Sequence, residues 1–173
     1  MKSKLLCSVF LVASLMIGII SCKEVEKGKS KTLAATAKVG TYNFDNKEEV
    51  SEYNRLDLDK THPNLLNPNL SKDDYQEIIE SWKSLHQEIG SYLAKNDFDW
   101  GVEDTSVTIV HKIYFTPEGE IKNYFFNILN EEVPMEKKEK FGELVSNFSA
   151  NNRISIQRDQ SFAQCGKTRY LNK

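Results

Sequence analysis

One cysteine and two histidines are the residues of this chain best suited to nucleophilic or acid–base chemistry. Cys165, in Gln164-Cys165-Gly166, could act as a nucleophile if His86 or His111 lay within hydrogen-bond reach as its base. No Cys-x-x-Cys pair accompanies it, and cations on the same strand give only screened help in lowering a thiol pKa. We therefore predict that Cys165 is a small buried side chain. A small thiol-dependent envelope enzyme is kept as an alternative.

The other candidates for chemistry are weaker. His86 falls in the middle of the apolar face of a predicted helix, where a core histidine bonded to a backbone carbonyl is commoner than a general base. The three histidines form no His-x-x-x-His pair of the kind that binds zinc. Asp57-Leu58-Asp59 lacks the further Asp or Asn and the glycine of a calcium loop. There is no glycine-rich phosphate loop. We predict no catalytic residue, no metal site and no cofactor.

An apolar run ending at Cys22 predicts export and lipidation. Residues 5–20 are apolar apart from two serines, and two lysines precede them, which is the pattern of an export signal. The run is shorter than the roughly 20 apolar residues of a membrane-spanning helix. Ile19-Ile20-Ser21-Cys22 resembles the lipobox of bacterial lipoproteins. The resemblance implies cleavage after Ser21 and a diacylglycerol thioether on Cys22.

The residues that follow Cys22 bear on where the anchored protein resides. Acyl chains contribute about 0.8 kcal/mol per buried methylene, so two or three of them hold a protein to a bilayer without further contact. Lys23 stands where an aspartate retains many such lipoproteins in the inner membrane, which favours the outer membrane. Residues 22–26 loosely resemble the acidic export tags of surface lipoproteins in the Bacteroidetes group, although Val25 interrupts the acidic pair. Periplasmic and surface exposure both stay open.

Composition excludes several classes of function. The chain has 173 residues, of which 28% are charged, and its net charge is -2. That length suits one compact domain, and the charged content excludes a polytopic membrane protein. The lack of a basic excess argues against nucleic acid as a partner. Residues 1–21 hold two lysines and no acid, so their removal leaves a mature charge of -4. With lipid on Cys22, Cys165 has no intramolecular disulfide partner.

The chain divides into a signal peptide over residues 1–21, a flexible tether over 22–41 and a single domain over 42–173. The tether is rich in Lys, Ala and Thr and has almost no large apolar residue, so it cannot bury enough surface to offset its ordering entropy. About twenty such residues span roughly 25 Å. A tether of that length lifts the domain clear of the lipid headgroups.

The domain is predicted to be α+β. Ser71 is predicted to cap a helix that runs to about Lys95 with its apolar residues on one face. Branched and aromatic residues over 105–129 predict a β-hairpin around a Pro-Glu-Gly turn. The remaining predicted elements are a short helix over 47–53, a second helix over 134–150, and strands over 153–158 and 162–171. The result is a small antiparallel sheet, hairpin plus C-terminal strand, packed against two helices in helix-strand-strand-helix-strand order.

The hairpin, of the form apolar-x-Phe-x-x-x-Gly-x-apolar-x-Asn over residues 113–123, resembles the strand–turn–strand of the C-terminal domain of TonB-like energy transducers. The resemblance covers roughly residues 71–171. It implies a two-helix, three-stranded layer that binds a peptide by adding a strand at the sheet edge. Such transducers begin with a membrane-spanning helix and a Pro-rich spacer, whereas this chain begins with a predicted lipoprotein signal. The resemblance therefore concerns fold and binding mode, not energy transduction.

These observations predict a non-enzymatic, lipid-anchored envelope protein that presents a sheet edge or an aromatic face to a protein or peptide partner. Tyr114, Tyr124 and Phe126 are predicted to share one face of the hairpin and to form the partner-binding surface, because large aromatics carry disproportionate contact energy. If a segment from residues 42–70 covers these side chains instead, serine substitutions at Tyr124 and Phe126 would unfold the domain. An inhibitor- or immunity-type lipoprotein that blocks an incoming toxin is a further alternative.

Overall fold

A computed structural model describes residues 39–172 of the chain. The predicted signal peptide, the predicted lipidation site Cys22 and residues 22–38 of the predicted tether lie outside the described residues. No helix within residues 39–172 is long and apolar enough to cross a membrane. The elements follow in the order β1 (Gly40–Asn43), α1 (Lys47–Leu56), α2 (Tyr75–Lys95), β2 (Ser106–Phe115), β3 (Ile121–Ile128), α3 (Met135–Ser149) and β4 (Phe162–Leu171).

The four strands form one mixed sheet in the order β1-β3-β2-β4. The α+β class and the predicted order of the later elements are confirmed. Strand β2 is antiparallel to both β3 and β4, as a hairpin plus a C-terminal strand requires. The prediction of a wholly antiparallel sheet was wrong, because β1 pairs with β3 in parallel, from Gly40 opposite Asn123 to Asn43 opposite Phe126. Strand β1 begins inside the segment predicted as tether, and Val39 before it is already buried.

Helices α2 and α3 cover one face of the sheet and enclose the main core. Side chains alternate along strands, so Tyr124 and Phe126 on β3 face the helices together with Ile109, His111 and Ile113 on β2. Phe141 of α3 lies at the centre of this core, with its ring 5.0 Å from that of Phe126. The opposite face is covered only in part, by α1 and residues 57–66. The sheet therefore has one closed face and one partly open face.

The predicted helices form, with shifted ends. Helix α2 begins at Tyr75 and not at Ser71, because Ser71 is buried and residues 72–74 form a turn. Asp74 occupies the N-cap position and makes no side-chain capping bond. Helix α1 extends three residues beyond the predicted 47–53, to Leu56. Helix α3 matches its prediction to within a residue, with Pro134 just before its first turn.

The predicted strand over residues 153–158 does not form. The alternating pattern of this segment has another cause, since Ile154 and Ile156 are buried against the hairpin tip. The segment makes a single β-bridge, between Arg153 and Glu120. The amide of Ile154 donates to the carbonyl of Gly119 over 2.9 Å. Gly119 has a φ of +81°, and a Cβ there would lie 2.7 Å from the carbonyl oxygen of Ile154. Glycine is thus required for both the turn and the contact.

Candidate functional site

The aromatic residues predicted to bind a partner do not form an exposed face. Tyr114, Tyr124 and Phe126 are at most 1% exposed. Tyr124 and Phe126 lie beneath α2 and α3, opposite Ile113 and His111 of β2. Tyr114 pairs with Asn123 and points to the other face of the sheet. The prediction of a shared, accessible surface was therefore wrong, and these residues belong to two separate buried clusters.

Tyr114 is the centre of a polar cluster that attaches residues 57–62 to the partly open face. Its hydroxyl lies 2.6 Å from the hydroxyl of Tyr53 and donates to Asp59 Oδ1 over 2.9 Å. Lys112 makes an ion pair with the same carboxylate. Burial would raise the pKa of Asp59, but hydrogen bonds from Lys112 and Tyr114 outweigh it and hold that pKa low. Burial raises the pKa of Tyr114, as do its bonds to Tyr53 and Asp59. The cluster is therefore suited to holding residues 57–62 against the sheet, and not to proton transfer near neutral pH.

Cys165 lies beside this cluster, on the face of the sheet away from both candidate histidines. It stands opposite Lys112 in the β2–β4 ladder. Its neighbour Gln164 instead reaches Ser81 of α2, on the helix-covered face. The sheet thus separates Cys165 from His86 and His111, so the predicted thiol–imidazole pair does not form. Burial raises the pKa of the Cys165 thiol, and Lys112 offsets this only in part. The thiol is half-buried, and its raised pKa favours the protonated form at neutral pH.

Both candidate histidines belong to a buried polar network under α2. Tyr170 joins His86 Nδ1 through its hydroxyl over 2.6 Å, and Tyr124 joins His111 Nδ1 over 2.9 Å. The other nitrogen of His111 lies 2.7 Å from the hydroxyl of Thr168. His86 is a core residue, as predicted, but its partner is a tyrosine hydroxyl and not a backbone carbonyl. Its Nε2 has no hydrogen-bond partner among the described residues.

Burial keeps both of these imidazoles neutral. It lowers the pKa of His86 to about 3. The pKa of His111 is held well below its usual range by burial first and by the nearby His86 second. The two rings are 4.4 Å apart. Within residues 39–172, no three His, Cys, Asp or Glu side chains converge as metal ligands. The network is therefore a neutral hydrogen-bonded core.

The outer edge of β4 is an accessible edge of the sheet. Over its first half this edge is occupied by residues 63–65: the amide of Leu65 donates to Ala163 O, and the amide of Ala163 donates to Pro63 O, each over 2.9 Å. Asn64 Oδ1 then accepts from the amide of Cys165 over 3.0 Å. In an antiparallel ladder alternate residues turn their main-chain groups outward. After Cys165, the outward groups belong to Lys167, Arg169 and Leu171.

These outward amides and carbonyls have no main-chain partner within the described part of the chain. The side chains of Lys167, Arg169 and Leu171 are exposed as well, the last to 83%. Natural sheets cover, shorten or charge their free edges, since such edges recruit other strands. Here the first half of β4 is covered and the second half is charged but open.

A groove of about 880 Å³ runs between this open end of β4 and helix α2. Lys83 lies on its α2 side, and Lys167 and Arg169 lie on the β4 edge that borders it, with their side chains on the opposite face of the sheet. Its wall is mainly aromatic and apolar, and includes the side chains of Trp82, His86, Leu93, Phe98, Trp100 and Tyr170. A strand laid along β4 would satisfy the free main-chain groups on one side and bury apolar side chains on the other.

A second groove, of about 770 Å³, follows the opposite sheet edge at β1. It is lined by glutamates from α1 and α3, namely Glu49, Glu52, Glu139 and Glu143. Strand β1 has only four residues, and the carboxylate of Glu49 already accepts from the amide of Asn43 over 2.6 Å. This edge is therefore short and blocked at that position, and it is the poorer site for an added strand.

Comparison with known proteins assigns no relative: no family model, no curated protein and no solved structure matches the chain. The resemblance to the transducer domain stays a prediction. The sequence predicted a sheet edge as a binding site, but the side chains predicted to bind the partner were the wrong ones. The groove was missed because α2 and β4 are about eighty residues apart in the chain. The alternating cations of β4, Lys167 and Arg169, were the available indication of a free edge.

Proposed function

We propose that this chain is a lipid-anchored protein of the bacterial cell envelope, without enzymatic activity, that binds an extended segment of a partner protein along the free end of β4. One observation carries the binding proposal: a free strand edge and an apolar groove lie side by side. Unpaired main-chain groups at Lys167, Arg169 and Leu171 adjoin an apolar groove of about 880 Å³. Main-chain hydrogen bonds provide affinity in this mode of recognition, and side-chain pockets provide specificity.

Charge selects the partner. Lys167 and Arg169 project from the edge on the face away from α2, with Cys165 and Leu171 on the same side. Two copies of β4 paired edge to edge would bring these like charges together, which destabilises a cross-strand pair. A partner strand with acidic residues opposite the two cations forms favourable pairs instead. Its alternate residues then face the apolar groove. The preferred segment thus alternates acidic and apolar residues.

A synthetic peptide that alternates Glu and Val tests this proposal. We expect it to bind the full-length protein and to change the fluorescence of Trp82 and Trp100, both of which line the groove. A peptide of the same length that alternates Lys and Val is the matched control, and we expect it to bind at least about tenfold more weakly because the β4 edge and the peptide then carry like charge. Binding of neither peptide would refute the proposal.

The substitution Arg169→Pro tests the main-chain contribution. The amide of Arg169 points outward, and proline is tolerated at such an edge position because no ladder bond to β2 is lost. We expect peptide affinity to fall about tenfold or more, with the thermal midpoint nearly unchanged. Arg169→Gln keeps the amide and removes only the charge, so it should lose far less affinity. Equal affinity of the proline and glutamine variants would contradict strand addition.

The anchor rests on the lipobox-like segment that ends at Cys22. We propose that Cys22 carries lipid and that the protein resides at the outer membrane, on its periplasmic or its surface face. The residues that follow, through the tether, then present the domain to a partner at the membrane. An acyl anchor provides membrane attachment without any apolar patch on the domain itself.

The substitution Cys22→Ser is expected to abolish palmitate labelling and to move the protein from the membrane pellet to the soluble fraction. The reason is that serine cannot form the thioether. Cys165→Ser is the matched control, since it removes a thiol elsewhere in the chain, and it should keep both labelling and membrane association. Mass spectrometry that recovers an intact Met1 terminus from the wild-type protein would refute the anchor, while leaving the binding proposal to its own test.

A further inference from the structure

Gly90 lies in the interior of α2, at the groove, where glycine weakens a helix. Local packing does not require it: a Cβ at Gly90 would meet its nearest neighbours, two ring carbons of Tyr170, at 3.6 Å, which is ordinary contact. Gly166 on β4 is different, since a Cβ there would come within 2.9 Å of Trp82 Cζ2. Because Gly90 has no side chain, the space beside the Tyr170 ring is left open.

The walls around that space are aromatic. The ring of Trp100 lies 6.1 Å from that of Tyr170 and 4.7 Å from that of Phe98, with which it makes an edge contact. The ring of His86, one helical turn before Gly90, lies 6.1 Å from that of Tyr170. Aromatic rings pack preferentially with other rings in edge and offset geometries, so an aromatic enclosure favours an aromatic guest over an aliphatic one.

We infer that the groove contains a pocket at Gly90 that receives one aromatic side chain of the bound strand. This inference rests on the proposed function, because the strand along β4 is what delivers the side chain. Residues of that strand opposite Thr168 and Tyr170 share their face of the sheet and point toward α2. The partner segment is accordingly an acidic strand whose central groove-facing residue is aromatic.

Two peptides test the pocket. Both alternate Glu and Val, and they differ only at one central Val position, which is Phe in one peptide and Ala in the other. We expect the Phe peptide to bind the full-length protein about tenfold more tightly than the Ala peptide. Gly90→Leu fills the pocket and should reduce this ratio to about one. Glu80→Leu, at an exposed position of α2 outside the groove, is the matched control and should keep the wild-type ratio.

A second variant keeps the test independent of folding. Gly90→Ala adds only a Cβ at ordinary contact distance, so we expect a higher thermal midpoint together with an intermediate Phe-to-Ala ratio. If the Ala peptide binds but Phe adds nothing, the pocket is refuted and strand addition stands. If the preference for Phe survives in Gly90→Leu, the pocket is likewise refuted. If no peptide binds, the proposed function itself fails.

Discussion

Replacement of both Tyr124 and Phe126 by serine is expected to unfold the protein, not to leave a folded domain that has lost a partner. Both side chains are inaccessible beneath α2 and α3. Large-to-small substitution of a buried aromatic destabilises a fold by about 3–5 kcal/mol. The serine at position 124 would also remove the hydroxyl that pairs with His111 Nδ1. Two such losses amount to roughly 6–10 kcal/mol, which is comparable with the whole stability of a typical domain.

The measurement is urea denaturation followed by tryptophan fluorescence. We expect no cooperative transition for the double variant. Lys122→Ser combined with Asn127→Ser is the matched control: both positions lie on the same strand β3, and their side chains are more accessible. We expect its midpoint to stay close to that of the wild type, since surface substitutions usually change stability by less than about 0.5 kcal/mol. A wild-type-like transition in the Tyr124 and Phe126 variant would contradict their burial.

Elements set by local sequence were predicted well. The apolar face of α2 repeats with helical spacing, and the hairpin turn over residues 116–119 combines a proline with a glycine of positive φ. Both depend on residues a few positions apart. Strand β4 was also predicted, as an extended segment over residues 162–171, and it forms with those bounds. Strand β1 was not, since it has only four residues and its pairing with β3 crosses about eighty residues of chain.

The face assignment within the hairpin failed for a different reason. Side-chain direction reverses with a register change of one residue, so a face can be deduced only if the pairing is known. Here a register shift occurs between Tyr114 and Phe115, after which Phe115 stands opposite Ile121. Tyr114 and Tyr124 therefore lie on opposite faces although the sequence pattern grouped them. From the sequence, the candidate site could be predicted only as a sheet edge. Its groove forms where α2 and β4 pack together in the folded protein, and the sequence alone does not show that packing.

Acid is expected to unfold this protein well above the range in which its carboxylates protonate. The cause is the pair of buried imidazoles, His86 and His111. Burial lowers the pKa of His86 to about 3 and that of His111 well below its usual range. In the unfolded chain both titrate near 6.5. Between these values the unfolded state binds protons that the folded state excludes, so the free energy of unfolding falls as pH falls.

The size of the effect follows from linkage. One pKa unit corresponds to about 1.4 kcal/mol, so His86 removes about that much stability per pH unit below 6.5, and His111 adds to the loss in the same direction. At pH 5 the loss from His86 alone reaches about 2 kcal/mol, a substantial part of a typical domain's total stability. Tyr124 and Tyr170, which share the network, have raised pKa values and stay neutral throughout. Asp59, whose pKa is lowered by Lys112, loses its contribution only below about pH 4.

Urea midpoints measured between pH 7.5 and 4.5 test this account, since the slope of unfolding free energy against pH counts the protons taken up. We expect His111→Gln to reduce the slope even though it weakens the fold at neutral pH, because glutamine cannot take up a proton. His62→Gln is the matched control: His62 bonds to Leu58 O outside the network, and its loss should preserve the slope. An unchanged slope in His111→Gln would show that the buried network does not govern acid unfolding.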